Sequence, residues 1–165
     1  MKSIIRNSKQ ADELKKCLGT LGSTVHLEQM VGGAYSLYAA STVEQTGGIH
    51  IFLAEDRDTA AYLVNDLYEL LDEERVEFFS SGYKRSAAYG AEDPQGVVRR
   101  TSALNAISNF KSGYLAICTY PEALAESVTE RVDLAEQSLK LKVGDKLEQN
   151  TLVNWLIERG FERVD

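Results

Sequence analysis

Two short apolar runs constrain this chain most. His50-Ile51-Phe52-Leu53-Ala54 and Tyr114-Leu115-Ala116-Ile117-Cys118 contain no polar alternation. A strand with one face in water alternates apolar and polar residues. An unbroken apolar strand is of the type buried on both faces, which occurs where helices cover a parallel sheet on both sides. The intervening segments supply such helices. Ala60, Leu63, Val64, Leu67, Leu70 and Leu71 fall on one helical face, with Asp58 placed as a cap. Val98, Leu104 and Ile107 mark a second helix over about residues 97–110, and Pro121 is well placed at the first position of a third.

Upstream, Ser8 is a suitable cap for a helix bearing Ala11, Leu14 and Leu18. Val25 and Leu27 alternate in a candidate strand, Thr24–Gln29, and a small-residue helix follows from about Tyr35 to Glu44. With Val76-Glu77-Phe78-Phe79 as another strand, the pattern is strand-helix repeated four times. This predicts an α/β fold with an open, mostly parallel sheet flanked by helices. Between the third strand and its helix lie seventeen residues, Ser80–Gly96, a long connection for a compact domain.

Beyond Glu126 the pattern changes. Residues 127–137 are polar, and Ser138-Leu139-Lys140-Leu141-Lys142-Val143 alternates as a strand with one wet face. A Gly144-Asp145 turn then precedes a helix over 149–159 that buries Leu152, Trp155 and Leu156 and ends at Gly160. The expected division is an α/β domain over 1–130 and the opening elements of a small α+β domain over 131–165, truncated.

Composition narrows the function classes. At 165 residues the chain is long enough for one real core, and the net charge of -7 argues against a whole-chain nucleic-acid binder. The charge is unevenly spread: residues 44–95 carry twelve acidic and four basic groups, whereas 96–120 carry three basic and none acidic. Cys17 and Cys118 are far apart, and only His26 and His50 are available to join them. They read as reduced thiols of a cytoplasmic protein, with no zinc site and no metal or other cofactor expected. No apolar run is long enough to span a membrane.

The loop after the first strand, leading into a helix N-terminus, is where an open α/β sheet usually binds phosphate. A working phosphate loop requires G-x-x-x-x-G-K-[ST]. Over Gln29–Ser36, Gln29 replaces the first Gly, Ala34 the second and Tyr35 the Lys, and only Ser36 fits. Gly32, Gly33, Ala34, Tyr35 and Ser36 thus outline a degenerate loop lacking the cation that would meet the β and γ phosphates. It is either a structural relic or a weak anion site. Glu55-Asp56-Arg57-Asp58 is either a helix cap or a magnesium cluster. In the long loop, Tyr83 and Tyr89 with the nearby Arg100 form a candidate nucleic-acid contact, against the alternative that the tyrosines pack onto the domain.

Taken together, several stretches resemble the N-terminal, UvrB-like region of bacterial transcription-repair coupling factors. They are the lysine-free loop Gln29–Ser36, the strand and helix over 49–71, and Phe79-x-x-Gly-Tyr with Glu92-Asp93-Pro94 and Arg100-x-x-Ala-Leu. Ala116-Ile-Cys-Thr-Tyr-Pro-Glu-Ala-Leu124 follows. The close, Leu139-x-Leu-Lys-Val-Gly-Asp to Leu156-x-x-x-Gly-Phe-x-Arg-Val-Asp165, is similar to the start of the domain that in this family contacts UvrA.

The resemblance implies a degenerate RecA-like fold without ATP hydrolysis of its own. It sits in a longer ATP-dependent DNA translocase that displaces stalled RNA polymerase and recruits UvrA for nucleotide excision repair. The implied partners are UvrA, other domains of the parent chain, and RNA polymerase and DNA through the parent. Lys140, Lys142 and Arg159 lie on the candidate partner surface. The alternative is a small nucleotide-binding or hydrolysing domain using Ser36 and Asp56 with magnesium.

Overall fold

The structure, a computed structural model, describes residues 5, 7–84, 91–128, 139, 141–144 and 146–158. The chain divides into two compact units, Met1–Val128 and Thr129–Asp165. In the first, α1 (Lys9–Leu18) and α2 (Ala34–Thr46) precede β1 (Gly48–Leu53). Then come α3 (Arg57–Leu70), a 3-10 turn (Glu73–Arg75), β2 (Val76–Phe78), α4 (Pro94–Asn109), β3 (Tyr114–Thr119) and α5 (Pro121–Ala125). The three strands form a parallel sheet in the order β1-β3-β2, so the last strand lies between the first two. The α/β class and the parallel pairing hold.

Local chemistry explains the element starts. Ser8 Oγ accepts the Ala11 amide at 3.1 Å, capping α1. The α3 cap is Asp56 rather than Asp58: its carboxylate accepts the Thr59 amide at 2.8 Å. Pro94 and Pro121 occupy first-turn positions of α4 and α5, where a missing N–H costs nothing. The α3 face predicted to be apolar is buried at Ala60, Leu63, Val64 and Leu67, and it packs over β2 and β3.

Three expectations are corrected. Thr24–Gln29 forms no strand; this segment is largely exposed, and a strand exists only through a partner, which a six-residue alternation cannot specify. The sheet therefore has three strands among the described residues, not four. In β1, Ile49, Ile51 and Leu53 are exposed, Ile51 at 62%, because these alternate residues share the face opposite Phe52, and only the Phe52 face of this edge strand packs on the core. Central β3 is buried from Leu115 to Thr119 and fits the doubly covered description. In α4 the buried residues are Gly96, Arg100 and Ala103, while Val98 is 68% exposed.

The second unit contains α6 (Gln149–Glu158), in which no residue is buried; Leu152, Trp155 and Leu156 are half-buried. The predicted strand over 138–143 is absent at its described residues: Leu139, Leu141 and Lys142 are exposed in irregular backbone, and Val143 is exposed in a turn. Gly144, with φ at 99°, makes the turn foreseen beside it. Lys140, Arg159 and Gly160 lie outside the described residues, as does Tyr89.

Candidate functional site

The carboxyl ends of parallel strands are where α/β proteins place their sites. Here Ala54, Phe79 and Tyr120 leave the sheet on the same side. The Ala54 amide donates to Thr119 O at 2.9 Å, and Thr119 Oγ1 donates to Phe79 O at 2.9 Å, tying the three exits together. Ser80 Oγ donates to Gly96 O at 3.2 Å, and the Ser81 amide donates to the Tyr120 hydroxyl at 2.9 Å. The start of α4 lies so close to this rim that a Cβ on Gly96 would stand 2.1 Å from Ser81 O.

Arg100 is the centre of the rim, not a nucleic-acid contact. It is buried and directs its guanidinium donors at Ser80 O (3.3 Å), Ala123 O (2.8 Å), Glu126 O (2.9 Å) and Ser127 O (3.2 Å). Its charge meets the Glu126 carboxylate at 3.6 Å, and its plane lies 4.2 Å from the Phe79 ring centroid. Glu126 also accepts from Ser81 Oγ and, at 2.9 Å, from the Gly82 amide. With both terminal nitrogens committed to four carbonyls, its charge set against a carboxylate and its plane against a ring, this buried guanidinium is poorly placed to meet a phosphate. Sequence treats Arg as surface, but its helical spacing with Gly96 and Ala103 is a signal that it faces inward.

The base of the long loop is an antiparallel pair. Tyr83 bridges Glu92, Lys84 N donates to Ala91 O at 2.7 Å, and Asp93 N donates to Gly82 O at 2.8 Å. Tyr83 and Lys84 are exposed on this ribbon, so of the proposed trio Tyr83 alone is on the described surface. Arg57 joins Asp93 at 3.5 Å, holding the ribbon to α3.

The degenerate phosphate loop is separate from that rim in its bonding. Among the described residues no strand precedes it; Gln29 has φ at 60°, Gly32 at 58°, and Gly33 caps α2 without a side-chain acceptor. The Ala34 amide is used by Val31 O at 3.2 Å. Tyr35 is 45% exposed in the first turn, with its hydroxyl pKa raised by burial and, less, by nearby Cys118. Ser36, the one residue matching the phosphate pattern, is buried and donates its hydroxyl to the Asp66 carboxylate of α3. It serves helix packing.

Asp56 caps α3, which accounts for the acidic run after β1, and no group of three metal-ligating residues occurs among the described residues. His26 is exposed and, contrary to expectation, lies on no strand. His50 of β1 shares its Nε2 with Thr46 Oγ1 (2.9 Å) and Gly47 O (2.8 Å). Cys118 is buried, its thiol pushed up to about 12 by desolvation, whereas Cys17 is exposed. Among the described residues no helix is long and apolar enough to cross a membrane. No protein-family model matches this chain, and no curated protein matches it significantly.

Proposed function

We propose that this chain is a non-catalytic, degenerate UvrB-like module of a bacterial transcription-repair coupling factor. In this reading the parent protein displaces stalled RNA polymerase, recruits UvrA and draws its ATP hydrolysis from a motor elsewhere in the chain. The observation that carries the reading is the fate of the phosphate loop. Tyr35 stands where Lys is required, and Ser36, the remaining match, is spent on Asp66. A loop without a cation or a free hydroxyl has lost both means of holding a nucleotide triphosphate and its magnesium. The order and spacing of the motifs from Gln29 to Asp165 add support.

The rim supports a structural role in the same way. Arg100, Glu126, Thr119 and Tyr120 are all engaged with neighbouring backbone, so the strand ends are braced rather than open. Deleting the encoding gene and measuring lesion removal separately on the two DNA strands tests the proposal. Loss of the faster repair of the transcribed strand, with repair of the other strand unchanged, is the expected result; an unchanged strand bias would reject it.

A further inference from the structure

The opposite edge of the sheet from β1 is also open. Among the described residues β2 pairs with β3 on one side only, and beyond that free edge lies a groove of about 450 Å³ between α3 and α4. Its size falls within the usual range for binding clefts. The register Phe78↔Cys118, with the Phe79 amide donating to Cys118 O at 2.9 Å, turns Glu77 and Phe79 toward β3. Because peptide groups alternate in direction along a strand, the N–H and C=O of Phe78 face the groove.

The side chains around that edge are chemically mixed. Val64, Asn65 and Tyr68 of α3 line one wall; Val98, Arg99 and Ser102 of α4 line the other. Arg99 rests over the Phe78 ring, 5.7 Å from its centroid, and is exposed to solvent. Glu77 is the member without a charged partner among the described residues. It is half-buried, and its carboxylate accepts the Ser102 hydroxyl at 3.1 Å. Burial raises its pKa, opposed by the Ser102 hydrogen bond. A desolvated carboxylate with one neutral donor is a group that gains from an incoming cation.

The elements leading into β2 are net acidic. Glu69, Glu73 and Glu74 are exposed there against the single exposed cation Arg75, within the strongly acidic segment 44–95. The Tyr68 hydroxyl pKa is raised by desolvation and then by Glu77 and Glu73, with Arg99 opposing, so both carboxylates lie within electrostatic reach of the groove wall. An unpaired edge strand beside a cleft of this kind is suited to strand addition, in which main-chain bonds give affinity and alternate side chains give selectivity.

We propose that the β2 edge binds an extended basic peptide of a partner protein, which continues the sheet through Phe78 and places a Lys or Arg side chain on Glu77. This goes beyond the coupling-factor reading and stands independently of it. The probe is a fluorescein-labelled octapeptide alternating Val and Lys, titrated into the full chain at low salt and followed by anisotropy. Three comparisons accompany it: the same peptide with Asp for Lys, a backbone N-methylated version, and the Glu77→Gln variant, which keeps shape and the Ser102 contact.

The expected results are saturable binding of the Lys peptide, loss of binding for the other two peptides, and about tenfold weaker binding to Glu77→Gln. Slowed hydrogen exchange at the Phe78 amide in the complex is also expected. Absence of Lys-peptide binding, equal binding of the Asp peptide, an affinity unchanged in Glu77→Gln, or blocking of the edge by self-association of the chain would each overturn the proposal.

Discussion

Two loops of the first unit lead into helices, and they are held in opposite ways. The Ser80–Asp93 connection enters α4 through a dense set of bonds: Arg100 to four carbonyls, Glu126 to Ser81 and Gly82, and Gly96 pressed against Ser81. The Gln29–Gly33 loop enters α2 with a bare glycine cap, exposed residues and open space around Gly32 and Gly33. The first resembles a polar core and the second a surface turn. At the rim a buried charge braces backbone, whereas the loop has no cation where a phosphate would need it.

The contrast is sharpest under mutation. Replacing Arg100 by Met strips the carbonyls of their donor and leaves Glu126 nearly buried without its cation, so about 3–5 kcal/mol of unfolding free energy should be lost in urea titration. Gly96→Ala forces a Cβ into Ser81 O and should cost about 1–3 kcal/mol, with a clear drop in Tm. An Arg100 variant within a few tenths of a kcal/mol of wild type would show that the rim is not held by this guanidinium.

The other loop should respond weakly. Ser36→Ala removes one hydrogen bond to Asp66 and should cost about 1 kcal/mol. Gly33→Ala, where φ is -71° and nothing lies within 4 Å of a new Cβ, should be neutral or stabilising by up to about 1 kcal/mol. A Gly33 variant that unfolds the chain would show the loop to be as constrained as the rim.

Smallest is the effect of pH through Glu77. Its folded pKa is raised, so its contribution to stability is present at low pH and lost as pH rises through that value. Glu77→Gln should thus raise Tm slightly near pH 7, and the difference should shrink as pH falls toward 4.5, the ordinary carboxyl value. A difference that grows on acidification would reverse the assigned sign.

Much of this architecture is legible from periodicity. α1, α3 and the central strand β3 follow from apolar spacing and caps, because burial in those elements is decided locally by one face or by both. What escapes is relational. Nothing within His50–Ala54 tells that β1 ends as an edge with Ile51 open, and nothing within Thr24–Gln29 tells whether a neighbouring strand is present to pair with it. Arg100 escapes for a different reason: its charge argues for the surface, and only four backbone carbonyls converging from Ser80, Ala123, Glu126 and Ser127 make burial favourable. The phosphate loop was readable as defective from Tyr35, but the use of Ser36 by Asp66 required the packing of α2 on α3.

The loss of nucleotide binding is open to calorimetric titration of the full chain and of Ser36→Ala with magnesium ATP. No saturable heat is expected up to about millimolar nucleotide for either protein, because the charge-assisted contacts to phosphate are missing. A dissociation constant tighter than about 1 mM that Ser36→Ala abolishes would contradict it, and would return Gln29–Ser36 to the class of working phosphate loops.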